Sequence, residues 1–327
     1  CVAPTFNDEY RMSSNARGRP FVRLSPYAAP EYLQPLTEVA ARYHLTHVFN
    51  PSLIVRGETI HIAFRAESTP GERPFRGYVV TSYKSGECLL LDLTELAEKA
   101  DVGIAADPKL FEMDGELFAT FNSGRVAGSY NDVCVVQLTP EIHPVQRVQF
   151  AHRRSVEKNW AFFRGTDGEL RVLYSFDPLV VLRLISGTLG TEEDLTFEFE
   201  VFADVPESGP SLHVGTPLLF VNPTHSYLVV HRKWTALHWS FYQARLAMFS
   251  IGDCYSTDVS RRRLIHSFRT LFPDRKRANR RLFSATYFAG ISHLNGSLVL
   301  SYGVNDVAPA VARITEELAR GRAWQPI

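Results

Sequence analysis

Cysteine is scarce and scattered: Cys1, Cys88, Cys134 and Cys254 form no Cys-x-x-Cys pair and are too few for a disulfide scaffold. They read as buried thiols in a reducing compartment, and a cytoplasmic enzyme is the expectation. Net charge is absent too. Lys plus Arg and Asp plus Glu each number 35, so no polyanion-binding surface is implied and nucleic acid is not an expected partner. No run approaches the roughly 20 apolar residues of a membrane span, and no apolar signal core stands near the start. A chain that opens on Cys1 reads as trimmed, which leaves an earlier targeting segment open. There is no HExxH, no Cys/His cluster at zinc spacing, no Asp-x-Asp, no Walker loop and no GxGxxG. Metal-independent chemistry without a cofactor is expected. Helical periodicity is also sparse: residues 31–43 read as one amphipathic helix, 94–100 as a short turn and 314–322 as a C-terminal helix.

What is present is a recurring pattern: a polar residue, an apolar β-type run, a tight turn, and a second apolar run. The first copy opens at Asn50-Pro51-Ser52 and turns at Arg56-Gly57-Glu58; the second opens at Asp107-Pro108-Lys109 and turns at Asp114-Gly115. The third opens at Glu157-Lys158-Asn159-Trp160 and turns at Asp167-Gly168. The fourth opens at Gly215-Thr216-Pro217 and turns between Asn222 and His225; the last opens near Ser284, turns at Asn295-Gly296 and finishes on Asp306. Asp-Gly and Asn-Gly between apolar runs mark type I′ hairpins, which need positive φ at both central residues. A period of roughly 50 to 70 residues belongs to propeller blades rather than to a helical solenoid. The expected fold is all-β, a five-bladed β-propeller with short N-terminal and C-terminal helical extensions. Residues 1–327 would form one catalytic domain, with 1–45 an N-terminal extension packed on it. Five ordinary hairpins in a β-sandwich are the plainer alternative.

In a propeller the innermost strands face a central channel, so the polar residues that open the copies would converge there. Asp107 opens such a strand, and Pro108 biases it toward an extended conformation that aims the carboxylate at the axis; the dipeptide equally suits a turn start. Lys158 and Asn159 lie between an acid and Trp160, a ring that can stack on a pyranose or simply fill the core. His231 and Lys233 alternate onto one strand face, with Tyr242 a short way on. With Lys158 and Arg65 they make a cationic ring suited to phosphate. Two further basic clusters, Arg261-Arg262-Arg263 and Arg275-Lys276-Arg277 with Arg280-Arg281, read as a solvated loop or, less simply, a nucleotide site.

Six segments in order, Phe49-Asn50-Pro51-Ser52, Ala63-Phe64-Arg65, Ala106-Asp107-Pro108-Lys109-Leu110, Glu157-Lys158-Asn159-Trp160, Gly215-Thr216-Pro217 and Ser301-Tyr302-Gly303-Val304-Asn305-Asp306, resemble the β-mannoside phosphorylases of glycoside hydrolase family 130. The resemblance spans residues 49–314. The chain also looks like a relative of glycosyltransferase family 108, the β-1,2-mannosyltransferase/phosphorylases of the mannogen reserve. The resemblance implies that Asp107 is the single catalytic carboxylate, its proton relayed through the 3-hydroxyl of the donor mannosyl unit while phosphate attacks the anomeric carbon with inversion. Asn50, Ser52, Arg65 and Asp306 would hold the mannosyl unit, alongside Lys158 and Asn159. Lys158, Asn159, His231, Lys233 and Tyr242 would match phosphate-binding positions. Implied partners are mannose and β-1,2-oligomannosides, α-mannose 1-phosphate, GDP-mannose and inorganic phosphate. A phosphorylase without nucleotide-sugar use is the nearest alternative. A propeller hydrolase pairing Asp107 with Asp177 or Glu157 is another, and a sugar-binding propeller without catalysis a third.

Overall fold

A computed structural model describes residues 21–24, 30–68, 75–124, 130–203, 212–236, 239–266, 282–284, 286–315 and 324–326. The chain is mostly β, as expected, and is assembled from successive antiparallel units. After the short strand β1 (Phe21–Arg23) and helix α1 (Gln34–Arg42), the first unit comprises β2 (Thr46–Arg56), β3 (Thr59–Glu67), β4 (Arg76–Ser82) and β5 (Cys88–Asp92). Helix α2 (Leu93–Lys99) leads to the second, β6 (Ala106–Met113), β7 (Glu116–Asn122), β8 (Val133–Gln137) and β9 (Gln146–Phe150). The third holds β10 (Ala161–Arg164), β11 (Leu170–Ser175), β12 (Val180–Ser186) and β13 (Leu195–Val201). The fourth holds β14 (His213–Val214), β15 (Leu219–Asn222), β16 (His225–Ala236), β17 (Trp239–Ser250) and β18 (Ser256–Ile265). Strand β19 (Leu282–Ser284) pairs with β17; the last unit is β20 (Thr286–Leu294), β21 (Ser297–Val304) and β22 (Ala308–Thr315), and β23 (Trp324–Pro326) returns to β18.

The turn chemistry explains the hairpins. Asp114 and Gly115 have φ of 54° and 82°, and Asn295 and Gly296 have 48° and 73°, the paired positive values of a type I′ turn. At Asp167-Gly168 only the glycine has positive φ. There Arg164 pairs with Leu170 across a longer loop closed by Gly165 N–H to Glu169 O at 2.9 Å, so the expected tight turn is replaced.

Apolar cores lie between neighbouring units. Ile54, Val79, Leu110 and Phe121 join the first to the second; Phe111, Val135, Phe162 and Val172 join the second to the third. Phe163, Leu173, Leu228 and Phe249 join the third to the fourth, and Val229, Leu246, Leu300 and Tyr302 the fourth to the last. Val299 and Val311 of the last unit then share a core with Leu53, Ile62 and Phe64 of the first, over which α1 lays Leu36 and Val39. Polar contacts reinforce the junctions on either side of the first unit. The Leu53 N–H donates to Ser301 Oγ at 2.9 Å, Ser292 Oγ donates to Leu53 O at 2.6 Å, and the Leu110 N–H donates to Ser52 Oγ at 2.9 Å. The outer strands β13 and β9 pair in parallel and fuse the second and third units into one eight-stranded sheet.

Four sequence expectations change. The helix expected over 31–43 is a 3-10 turn, Pro30–Leu33, followed by the nine-residue α1. Ile314 lies in β22 rather than in a C-terminal helix, and residues 316–322 are outside the described ones, as are the basic residues 275–281 and Cys1. Arg261, Arg262 and Arg263 belong to β18 rather than to a loop, and Cys254 is exposed while Cys88 and Cys134 are buried. No helix among the described residues is long and apolar enough to cross a membrane.

Gly290 sits where the last unit meets the first: a Cβ there would meet Ser301 Oγ, lie 2.7 Å from Leu53 N and 3.1 Å from Ser52 Cα. Two of those neighbours are backbone and cannot swing aside. Gly290→Ala is expected to cost about 1–3 kcal/mol, read as a lower urea midpoint at unchanged m-value; a midpoint equal to wild type would show that the two units are not in this close contact.

Candidate functional site

The site grows from residues whose backbone leaves the extended region. Asn50, Asp107, Asn159, Asn305 and Asp306 all have φ between 52° and 63° or, for Asp107, 49°. Asn and Asp are the side chains that tolerate this left-handed well, at a cost of about 1–2 kcal/mol each. Asp107 therefore is not extended as Pro108 suggests. Ala106 pairs with Asn122 and Lys109 with Thr120, so Asp107 and Pro108 share one partner position in a bulge. A proline supplies no ladder donor, and the bulge is where the strand accommodates it. The same break surrounds Asn50-Pro51, between the Phe49 and Ser52 pairings.

The bulge sets Asp107 beside Arg65 of β3, whose Nη1 donates to Asp107 Oδ1 at 3.1 Å. Rings of Phe49 and Phe75 flank the guanidinium at 5.4 and 5.5 Å, and its buried Nε has no partner among the described residues. Asn50 Nδ2 donates to Asp306 Oδ1 at 3.4 Å, while Asn50 Oδ1 is buried without a partner among the described residues. Unpaired buried polar atoms are costly and rare in folded proteins.

Burial alone would raise the Asp107 carboxyl, but Arg65, Lys158 and Lys109 outweigh it and hold it below the usual range. Burial, then the Asp107 charge, pushes Asp306 up against the opposing pull of Arg65, Asn50 and Lys158. Two neighbouring carboxyls are thus driven apart in proton affinity, the arrangement that divides acid from base roles. On the far side, burial pushes Lys109 down to about 7, with Lys158 adding to the effect and Asp107 opposing it. Burial, then His213 and the nearby lysines, holds His231 well below its ordinary value, and His213 falls to about 4 for the same leading reason. The two imidazoles stack at 5.4 Å. His231 is accordingly neutral near pH 7, and the expected cationic ring loses that member. Arg65, Lys158 and Lys233 remain, with Lys233 5.8 Å from the Tyr242 ring. Burial, Asp306 and Asp107 push Tyr242 up to about 12, so its phenol stays protonated.

Other expected residues fall elsewhere. Ser52 is fully buried, its hydroxyl occupied by the Leu110 N–H, so it braces β2 against β6 and does not face solvent. Trp160 is a core ring, not a sugar platform: it is 3% exposed, packs against Phe150 and Tyr174, and donates Nε1–H to Glu157 Oε2 at 3.1 Å. Glu157 is buried and accepts from the Tyr174 hydroxyl at 2.7 Å, which removes it as a partner carboxylate for Asp107. Sequence reading missed Lys109, Tyr287 and His213. Lys109 carried a signal, a lysine set directly ahead of the apolar pair Leu110-Phe111 of β6. Tyr287 carried none, since it reaches Asn159 only across units, and His213 none, since it meets His231 only through the pairing of β14 with β16.

No family profile matches the chain, and no curated protein matches it by sequence. Solved structures do. A protein described under the GH130 family of mannoside phosphorylases, which contains glycoside hydrolases that target β-1,2 mannosidic linkages in Candida mannan, superposes with TM-score 0.54 at 14% identity, over 85% of this chain and 86% of that one. A GDP-Man-dependent mannosyltransferase from Leishmania mexicana gives 0.53 at 15% identity over 86% and 88%. A glycosyl hydrolase from Bacteroides ovatus gives 0.53 at 15% identity over 85% and 86%. At such identities the likeness is one of fold.

A depressed carboxyl stabilises the fold above its unfolded pKa of about 3.9, and that contribution is lost as pH falls through the folded value. Removing the guanidinium raises the folded value, so Arg65→Gln moves the loss of stability to higher pH. Carbon-detected NMR titration of aspartate-labelled protein should show Asp107, and with it Asp306, titrating higher in the variant. Identical titration curves would refute the charge coupling.

Proposed function

We propose that this chain is an inverting mannosyl-transferring enzyme built as a five-bladed β-propeller. It would move β-1,2-linked mannosyl units between α-mannose 1-phosphate or GDP-mannose and mannose or oligomannoside acceptors, reversibly through phosphorolysis. The cyclic order of the inter-unit cores supports the blade count. The fold shared with mannoside-directed proteins supports the substrate class.

The observation that carries the chemistry is Asp107, ionised beside Arg65 at the bulge with Lys158 near enough to lower it. An ionised carboxylate is a base. In the transfer direction it accepts the acceptor hydroxyl proton, directly or through a hydroxyl of the donor sugar, as that oxygen attacks the anomeric carbon on the face opposite the leaving phosphate. The C–O bond to phosphate breaks with the electron pair staying on phosphate, where Lys158 and Lys233 offset the charge. In the reverse direction phosphate arrives already anionic and needs no base. Its charge cancels the pull of the lysines on Asp107, raising the carboxyl toward the protonated form that the departing sugar requires. Asn50 and Asp306, joined by a 3.4 Å hydrogen bond beside Asp107, would hold the mannosyl unit.

One observation favours a second reading. Asp306 is raised while Asp107 is lowered, and such a pair suits water-dependent glycoside hydrolysis, which uses one carboxyl as acid and another as base.

Incubating wild type and Asp107→Asn with mannose and either α-mannose 1-phosphate or GDP-mannose separates the readings. Oligomannoside formation from at least one donor, reduced roughly 10²–10⁴-fold in the variant, is the expected result. No extension from either donor defeats the transfer reading. Breakdown of β-1,2-mannobiose at a rate independent of added phosphate would establish the hydrolase.

A further inference from the structure

Lys109 is 2% exposed within β6, a degree of burial that a lysine reaches only when its ammonium is paired. Its ammonium has donors and no acceptor. Nζ donates to Asn159 Oδ1 at 2.7 Å and to the Gly215 carbonyl, and it lies 5.3 Å from the Tyr287 ring centroid. A strand of the second unit is thereby tied to residues of the third, fourth and last. Tyr287 adds its own hydroxyl to the same oxygen, donating to Asn159 Oδ1 at 2.9 Å. Both lone pairs of that carbonyl are now used. As an ammonium Lys109 only donates, so in that protonation state the atom it meets is the amide oxygen, the same atom to which the Tyr287 hydroxyl donates. The backbone is held as well: Asn131 donates Nδ2–H to Glu157 O and accepts from Glu157 N–H, each at 2.6 Å, just ahead of Asn159.

We propose that Lys109 is a positioning residue which, with Tyr287, locks the Asn159 carboxamide so that only its NH₂ faces the ligand. An amide held this way can donate and cannot accept. It selects an oxygen that offers lone pairs and no proton, above all an anionic phosphoryl oxygen, and disfavours a hydroxyl that must donate. The ligand class rests on the mannosyl-phosphate reading above; the lock itself does not.

Lys109→Met removes the ammonium at similar length, and Tyr287→Phe keeps the ring while deleting the second donor. If the lock operates, both raise KM for inorganic phosphate in β-1,2-mannobiose breakdown, by roughly fivefold for Tyr287→Phe, as expected for one hydrogen bond, and further for Lys109→Met, with a smaller change in kcat. Tyr287→Phe leaves the pH profile in place, which distinguishes positioning from a charge effect on Asp107. Phosphate KM values equal to wild type in both variants overturn the proposal. A second readout needs no turnover: the Asn159 side-chain NH₂ resonances, assigned through Asn159→Asp, should be dispersed in wild type and collapse toward the free-amide position in each variant. Unchanged resonances overturn the lock. Should wild type act on no mannosyl substrate while those resonances collapse as stated, the proposed function falls and the lock stands. Lys109→Met that fails to fold leaves the decision to Tyr287→Phe.

Discussion

Every sheet assembled from hairpins begins with an edge strand, and its unpaired N–H and C=O groups must find partners when the edge is buried. In this chain the opening strands supply that need from neighbouring units. Ser52 takes the Leu110 N–H, Ser301 takes the Leu53 N–H, and Ser292 donates to the Leu53 carbonyl. Each bond is a buried side chain of one unit meeting the backbone of the next. The Ser301 and Ser292 contacts make the first and last units neighbours, and the close approach at Gly290 leaves little room for anything larger. A ring closed this way brings the beginnings of several strands to one place.

Those beginnings are where proline interrupts the ladder. Asn50-Pro51 and Asp107-Pro108 each fall in a register break, and the residue ahead of each proline takes a left-handed φ. Strain of this kind persists only where surrounding structure over-determines it, and it gathers at functional sites. Its local consequence is clear for Asp107: the bulge turns the carboxylate onto Arg65 instead of along the strand pleat. The electrostatics then follow from burial and neighbours rather than from residue type. Two carboxyls diverge, one lysine approaches neutrality near pH 7, and two imidazoles become neutral aromatic walls. The positive charge expected of His231 is missing because a buried imidazole among lysines has no reason to take a proton.

Much of the architecture is legible in the chain itself, since turn chemistry and apolar runs are local. Asp114-Gly115 and Asn295-Gly296 mark their hairpins because only a few residues accept two successive positive φ values. Asp107 stands out because an acid at the mouth of an apolar strand has few structural uses. Glu157 and Trp160 mislead for the opposite reason: an acid and an indole beside a polar pair look like ligand contacts, yet they satisfy each other beneath the surface. Ser52 misleads likewise, being polar and correctly placed along the strand but consumed by a backbone N–H.

The sequence alone determined the β character, the succession of hairpins and the places of their turns, because propensity, periodicity and turn preference act over a few neighbours. Tertiary structure decided which polar groups remain free to act. Lys109 meets Asn159 and Gly215, residues 50 and 106 positions away, and Tyr287 meets Asn159 across 128. Hydrogen-bond saturation, desolvation and charge coupling depend on distances in space that no local pattern encodes, so the working state of each group is set only when the ring of sheets closes.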